Sequence, residues 1–170
     1  PVGIYSAHIH LPCQKGKKLM SIVISVPRET RAGEQRVALV PDMVKKLSAL
    51  GVSIKVQTGA GDAAGYADSD YEAASATIET DEYALYQQAD ILLTVNPATP
   101  TQISQLKAGS ILMGFLNPYS DTDRFKTLQA KSISAFSMEM VPRISRAQAM
   151  DALSSQASIA GYKAVLIAST

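Results

Sequence analysis

The order of secondary structure follows from how apolar and polar positions alternate along the chain. Short runs rich in β-branched and other apolar residues predict five strands, over residues 21–26, 53–58, 90–95, 110–116 and 133–136. Between these runs, apolar spacing together with helix start and stop signals predicts helices over residues 41–50, 69–75, 81–88, 102–107 and 121–130. Strands that alternate with helices at this spacing form βαβ units. The sequence therefore predicts an α/β fold with a parallel sheet and helices on both faces.

The first of these helices has clear boundaries. Pro41 suits the first helical turn, and Gly51 suits the position just after the helix end. The spacing of the apolar residues predicts that four side chains of this helix face the core, those of Met43, Val44, Leu47 and Leu50.

The C-terminal stretch contains a second helical pattern. Apolar and small residues recur at alternating intervals of three and four positions, at Met150, Leu153, Ala157, Ala160, Ala164 and Ile167. Because small side chains let a helix approach a sheet closely, we expect this side of the helix to pack against the sheet. Polar side chains follow the same spacing on nearly the opposite side, at Gln148, Asp151, Ser155, Ser158 and Tyr162.

Two interpretations of the segment before this helix remain open. Ser145 and Gln148 have the spacing of a capping box, in which both side chains only bind the first N–H groups of a helix. Asp151 would then complement the helix dipole. If the helix instead begins close to Asp151, residues 143–150 form a loop in which Arg143 and Gln148 could reach a ligand.

Composition excludes several classes of function. The 170 residues suffice for one domain with a proper core, and 46% hydrophobic with 18% charged residues suits a soluble α/β protein. The net charge is +1 and the basic residues are scattered, so we expect no nucleic-acid binding. No apolar run approaches the roughly 20 residues of a membrane span, so we expect no direct membrane insertion. A single cysteine excludes an internal disulfide.

Residues 1–19 differ from the rest of the chain. They lack helix or strand periodicity and end in lysines, the reverse of the charge order in a signal peptide. His8, His10 and Cys13 are residue types that can bind a metal ion. Because a fourth ligand is missing, we expect no metal site here. We expect a disordered leader here, with Met20 as the natural start of the protein.

Ligands of parallel α/β sheets bind beyond the carboxyl ends of the strands. The first loop expected there covers residues 27–40. Arg36 precedes an apolar run in this loop that should draw it towards the sheet, where an arginine requires an anion or a carboxylate partner. The other charged residues of the loop are expected to be solvated, namely Arg28, Glu29, Arg31 and Glu34.

The glycine-rich turn over residues 59–65 resembles a dinucleotide-binding fingerprint, because its glycines recur at short intervals and the turn follows a strand. That motif requires a helix that opens directly on the turn. Here the next helix is delayed until about Ser69, and no strand that ends in a ribose-binding acid follows at the right distance. We interpret the segment as a tight surface turn rather than a nucleotide cradle.

Several motifs resemble a known family. The segments 27–30, 34–41 and 59–61 resemble the N-terminal domain shared by alanine dehydrogenases and nicotinamide nucleotide transhydrogenases. The segments 142–148 and 150–162 resemble the NAD(H)-binding alpha subunit, or domain I, of the proton-translocating NAD(P) transhydrogenase. The resemblance covers residues 20–170, almost the whole chain past the leader.

The resemblance implies hydride transfer between NAD(H) and NADP(H), coupled to proton translocation. It implies that Arg143, Gln148, Asp151 and Ser154 bind NAD(H) near the nicotinamide, with Gln148 and Asp151 as the catalytic positions. Hydride transfer needs no acid or base from the protein, so these groups need only hold the two nicotinamide rings together. NADP(H) would bind a partner subunit. The chain would be a homodimer, cytoplasmic and peripheral to the inner membrane through the membrane-spanning subunits.

The resemblance also implies a division of the chain. Residues 20–150 would form the N-terminal domain, with a flavodoxin-like sheet, and residues 151–170 would form a long connecting helix. In the family this helix leads into a Rossmann domain that holds most of the NAD. We expect that domain to lie outside these 170 residues, and we expect the fragment alone to be inactive.

Two alternatives compete with this assignment. Alanine dehydrogenases use an Arg, a Lys and a His of this domain for their substrate. Arg36 matches the Arg, as a remnant of that pocket, whereas Thr94 and Asn96 lie around the Lys position and Asn117 replaces the His. Without an ammonium and an imidazole, alanine oxidation is not expected. The other alternative is a non-catalytic flavodoxin-like interaction module, which predicts that the polar residues before the last helix tolerate alanine.

Overall fold

The computed structural model describes residues 22–119 and 122–169, so the expected leader with His8, His10 and Cys13 lies outside the described residues. Across this part of the chain, six strands form one parallel sheet: β1 (Val23–Val26), β2 (Ser53–Gln57), β3 (Thr77–Glu79), β4 (Ile91–Leu93), β5 (Ile111–Gly114) and β6 (Ser134–Ser137). The α-helices in the same ranges are α1 (Pro41–Ser48), α2 (Asp68–Ala73), α3 (Glu82–Gln88), α4 (Pro100–Gln105), α5 (Thr122–Ala130) and α6 (Ala152–Ala168).

The strands follow the order β3-β2-β1-β4-β5-β6. The five strands expected from the sequence all form, and numbered among themselves they lie in the order 2-1-3-4-5, which is the flavodoxin-like order. The fold class is therefore confirmed. The additional strand is β3, which pairs with β2 at the edge of the sheet through Thr77, Ile78 and Glu79. Three residues with no buried member carry too little periodicity to reveal a strand.

The register of the paired strands places the core residues in two layers, one on each face of the sheet. Ile24 pairs with Ile54, and both belong to the cluster that α1 and α2 cover. Leu92 pairs with Leu112 on the opposite face, where α4 and α5 supply Ile103 and Leu128. Helices therefore cover both faces, as expected.

Helix α1 shows where the predicted core differs from the observed one. Val44 is buried and Leu47 half-buried, as expected, but Met43 is 42% and Leu50 78% exposed. The expectation for Leu50 was wrong because α1 ends at Ser48, and the chain then turns through Gly51 at φ 83°. Met43 lies towards solvent beside the buried Val44.

Helix α6 does not pack against the sheet, so that expectation was also wrong. Every described residue from Leu153 to Ser169 is exposed, and Ile159, Val165 and Ile167 are 64–68% exposed. The physical reason is that consecutive apolar residues near its end point to different sides of the helix, so no single side is apolar enough to define a core face. In the described part of the chain, no helix has the length and apolar character needed to cross a membrane.

Candidate functional site

The segment between β6 and α6 decides between the two interpretations left open by the sequence. A 3₁₀ helix spans Ser145–Met150, its N-cap is Ile144, and no side chain caps it. The capping box of Ser145 and Gln148 therefore does not form. Helix α6 begins at Ala152 with Asp151 as its N-cap. The later start leaves the side chains of residues 143–150 outside the α-helix.

Asp151 is held by the first turn of α6. Its Oδ1 accepts a hydrogen bond from the Ser154 backbone N–H at 2.9 Å, and its Oδ2 accepts one from the Ser154 hydroxyl at 2.6 Å. These two bonds, with the nearby charge of Arg143, lower the pKa of Asp151. The carboxylate is thus ionised at neutral pH and fixed in orientation.

Three of the four predicted coenzyme-binding residues line one shallow concavity. Arg143, Gln148 and Asp151, together with Ile144 and Ser145, surround a volume of about 240 Å³. Ser154 does not line this concavity, because its hydroxyl is directed at the Asp151 carboxylate. The concavity combines a guanidinium, an amide and a carboxylate, which together can donate and accept hydrogen bonds without being strong acids or bases.

Arg36 lies away from that concavity and already has a carboxylate partner. Its Nε and Nη2 donate to the two oxygens of Glu34, each at 2.7 Å. Its Nη1 donates to Gln156 Oε1 at 3.3 Å, and the guanidinium lies 5.9 Å from the centre of the Phe115 ring. The hydrogen bond from Arg36 lowers the pKa of Glu34 to about 2. Glu34 is therefore the carboxylate partner expected for Arg36.

Two glutamates of the same loop are not solvated, contrary to expectation. The Glu34 side chain is 8% exposed and accepts from Asn96 Nδ2 at 3.0 Å. Glu29 accepts from the backbone N–H groups of Val95 at 2.6 Å and Asn96 at 3.2 Å. A free backbone N–H at a strand end attracts a carboxylate, and this pairing depends on sheet order rather than on local sequence.

Glu139 has the same role after the next strand, and no local sequence signal pointed to it. It accepts from the backbone N–H groups of Leu116 at 3.2 Å and of Asn117. Burial opposes ionisation, yet the nearby Ser137 hydroxyl and the backbone N–H groups that bind the carboxylate lower its pKa. Glu29 and Glu139 thus each fix the chain that leaves a central strand, β4 or β5.

Two adjoining cavities of about 290 and 300 Å³ form what we name the strand-end cleft. Both are lined by Arg36, Val95, Phe115 and Gln156. Thr94 lines the first cavity, and Asn96 and Asn117 line the second. The residues matched to the alanine dehydrogenase pocket therefore gather in this cleft, separate from the concavity around Asp151.

The glycine-rich turn has no helix directly after it. Gly59, at φ 70°, donates its backbone N–H to Asp68 Oδ1 at 2.9 Å, and the Thr58 hydroxyl donates to Asp68 Oδ2 at 2.6 Å. The α2 helix begins only at Asp68, after a short 3₁₀ turn. The geometry agrees with a tight surface turn, because the Gly59 amide is already bonded within the protein.

The strand order is that of an α/β domain of the doubly wound class. Members of this class bind small ligands at the carboxyl ends of their strands. The strand-end cleft and the concavity before α6 fit this class. Residues 25–160 match the family described as "Alanine dehydrogenase/PNT, N-terminal domain". The chain belongs to this family.

Curated relatives and solved structures agree with this assignment. The chain is 41% identical to the NAD(P) transhydrogenase subunit alpha of Cereibacter sphaeroides, over 84% of this chain and 27% of that protein. It is 42% identical to the NAD(P) transhydrogenase subunit alpha of Haemophilus influenzae, over 85% of this chain and 28% of that protein. The transhydrogenase structure from Sinorhizobium meliloti superposes with a TM-score of 0.80 at 36% identity, over 85% of this chain and 41% of that one.

The alanine dehydrogenase branch is also detectable. The alanine dehydrogenase of Halomonas elongata is 32% identical to this chain, over 69% of this chain and 32% of that protein. An L-alanine dehydrogenase structure superposes with a TM-score of 0.67 at 26% identity, over 71% of this chain and 33% of that one. The chain spans 27–28% of the length of the two transhydrogenase subunits named above. The resemblance to the transhydrogenase alpha subunit is confirmed for this N-terminal region.

Proposed function

We propose that the chain forms the N-terminal region of the NAD(H)-binding subunit of a proton-translocating NAD(P) transhydrogenase. In this proposal Arg143, Gln148 and Asp151 hold the nicotinamide end of NAD(H) for hydride transfer to or from NADP(H). The observation that carries it is the shared concavity of about 240 Å³ that these three side chains line. The 41–42% identity to transhydrogenase alpha subunits supports the same assignment.

The donors and acceptors present fit a nicotinamide nucleoside. A carboxamide has N–H donors and a carbonyl acceptor, and ribose has hydroxyls that donate to carboxylates. Gln148 can meet both sides of the carboxamide, and Asp151, held in orientation by Ser154, can accept from a hydroxyl or an amide N–H. Arg143 adds a guanidinium with several N–H donors in a fixed geometry.

The coenzyme, when bound, supplies the hydride, so the residues of this chain have a positioning task. A guanidinium, an amide and a carboxylate can orient one ring face without offering a competing hydride acceptor. Ser154 contributes through Asp151, because its hydroxyl and N–H both bind that carboxylate. Gln148 and Asp151 are therefore the residues proposed to be catalytic, and Ser154 is proposed to support them.

The remaining components of the assembly follow from the same proposal. Residues 20–150 form the N-terminal domain and residues 151–170 form a helix that connects to a Rossmann domain, which holds most of the NAD(H). NADP(H) binds a partner subunit, and membrane-spanning subunits carry the protons. The assembly contains a homodimer of this subunit and lies on the cytoplasmic side of the inner membrane. These residues alone are proposed to have no turnover.

Alanine oxidation is the second candidate, and the strand-end cleft disfavours it. Asn96 donates its side-chain N–H groups to Glu29 at 2.8 Å and Glu34 at 3.0 Å, and Arg36 is bound to both oxygens of Glu34. A keto acid that bound Arg36 would compete with this carboxylate. Asn96 and Asn117 also provide neither an ammonium nor an imidazole to polarise a keto group.

The test uses the complete transhydrogenase complex that contains this chain. Arg143→Ala, Gln148→Ala and Asp151→Asn are each expected to lower hydride transfer between NADH and an NADP⁺ analogue by roughly 10- to 100-fold, because small errors in ring placement are costly. Arg146→Ala, Gln129→Ala and Asp123→Asn are matched controls at exposed positions outside the concavity. Unchanged rates in the first three variants would contradict the proposal, and alanine-dependent NADH formation by the unmodified complex would favour the alternative.

A further inference from the structure

Helix α6 carries one residue of the candidate site, Asp151 at its N-cap, but the helix has few contacts with the rest of the domain. Its described residues from Leu153 onward are exposed, so packing does not fix its position. Only its first two turns approach the strand-end cleft, where Ala152, Leu153 and Gln156 line the two cavities. A helix held in this way depends on individual contacts near its start.

One such contact is a hydrogen bond between Gln156 and Arg36. Arg36 Nη1 donates to Gln156 Oε1 at 3.3 Å across 120 residues of sequence. The donor is charged, and a charged donor makes a stronger bond than a neutral one. Arg36 is half-exposed, so the bond is modest by itself. It matters because α6 has no buried apolar residues to share the task.

The Arg36 end of this contact is itself fixed. Glu34 receives both Nε and Nη2 of Arg36 at 2.7 Å, and it also accepts from the Arg36 backbone N–H at 3.0 Å. Glu34 is in turn bound by Asn96, just after β4. A continuous series of hydrogen bonds therefore runs from the end of β4 through Asn96, Glu34 and Arg36 to Gln156.

We infer that Gln156 is a positioning residue for the proposed nicotinamide site, acting through its hydrogen bond to Arg36; this inference rests on the proposed function. Gln156 lies five residues after Asp151, about 7.5 Å along the helix axis. Because an α-helix is rigid over this length, a displacement of Gln156 also displaces Asp151 and Ser154. The bond to Arg36 thus sets where the Asp151 carboxylate stands relative to the domain.

The test compares Gln156→Leu with Gln156→Glu in the complete transhydrogenase complex. Leucine has a similar size but no acceptor, so kcat for hydride transfer is expected to fall about tenfold. Glutamate keeps an acceptor for Arg36, so the rate is expected to stay within about threefold of the unmodified complex. Gln129→Leu, on the exposed side of α5, is the control for replacing a surface glutamine.

Combination with Asp151→Asn separates positioning from general destabilisation. If Gln156 acts by placing Asp151, Gln156→Leu costs little further activity once Asp151 is changed. A multiplicative loss in the double variant, or an unchanged rate in Gln156→Leu, would overturn the inference. If Asp151→Asn lowers hydride transfer while Gln156→Leu does not, the proposed function stands and the inference alone fails. If Asp151→Asn has no effect, the proposed function fails, and the inference fails with it.

Discussion

The carboxylate of Asp151 accepts a hydrogen bond from the backbone N–H of Ser154 at 2.9 Å and another from its hydroxyl at 2.6 Å. One residue therefore caps α6 and also lines the concavity with Arg143 and Gln148. Helix capping and the proposed coenzyme binding do not exclude each other, because a capping carboxylate keeps lone pairs available on both oxygens. The cap supplies the orientation that a binding carboxylate needs.

Ser154→Ala tests this double role. The variant removes the hydroxyl donor, which is the largest cause of the lowered pKa of Asp151, and it leaves the backbone N–H in place. The pKa of Asp151 should therefore rise towards its usual range. Since the ionised form is the one that accepts hydrogen bonds, hydride transfer should be lost on acidification at a higher pH than in the unmodified complex. At neutral pH we expect a loss of roughly tenfold, from poorer orientation of the carboxylate.

The measurement is the pH–rate profile of the complete complex. Ser158→Ala, at an exposed position one turn further along α6, should leave the profile unchanged. An acid limb at the same pH in Ser154→Ala and the unmodified complex would show that the Ser154 hydroxyl does not tune Asp151.

Much of the fold could be predicted because its central strands are short apolar runs between clear turn signals. Residues such as Ile24, Ile54 and Leu92 are buried, so the apolar residue type at these positions correctly indicates a place in the core. The edge strand β3 was missed because its three residues include only one apolar side chain, that of Ile78. Exposure alone does not explain the miss, because the other edge strand, β6, is also mostly exposed and was still predicted from the apolar residues of the run 133–136.

The candidate site was predictable only in its local contacts. Asp151 and Ser154 are three residues apart, which is the spacing of an N-cap residue and the residue whose backbone N–H it binds, so the sequence alone can predict this contact. The contacts of Glu29 with Val95 and of Arg36 with Gln156 join residues 66 and 120 positions apart. These contacts depend on which strands are neighbours, and no local pattern encodes that order.

Glu34→Gln is expected to destabilise the protein in a pH-dependent way. The hydrogen bond from the Arg36 side chain is the first cause that lowers the pKa of Glu34 from 4.5 to about 2. Because the folded state has the lower pKa, this stabilisation is fully present above about pH 4.5 and is lost as the pH falls through about 2. After screening at the half-exposed Arg36, the loss at pH 7 should be about 1–2 kcal/mol.

The corresponding measurement is the free energy of unfolding at pH 7 and at pH 3. The difference between the unmodified protein and Glu34→Gln should shrink at the lower pH, because the Glu34 carboxyl is then largely protonated in the unfolded state but still ionised in the folded state. Glu72→Gln, at an exposed position of α2, should have little effect at either pH. A difference that stays constant between the two pH values would contradict the assigned ion pair.

Gly114→Ala tests the close approach of β4 and β5 beside the strand-end cleft. A Cβ at this position would lie 2.6 Å from the Thr94 hydroxyl and against the Thr94 carbonyl oxygen, which is backbone and cannot rotate away. Denaturant unfolding should show a loss of about 1–3 kcal/mol from this overpacking. Gly161→Ala is the matched control, because nothing lies within 4 Å of a Cβ at that helical position, and it should stabilise α6 by about 0.5–1 kcal/mol. Equal effects of the two substitutions would mean that β4 and β5 do not approach each other this closely at Gly114.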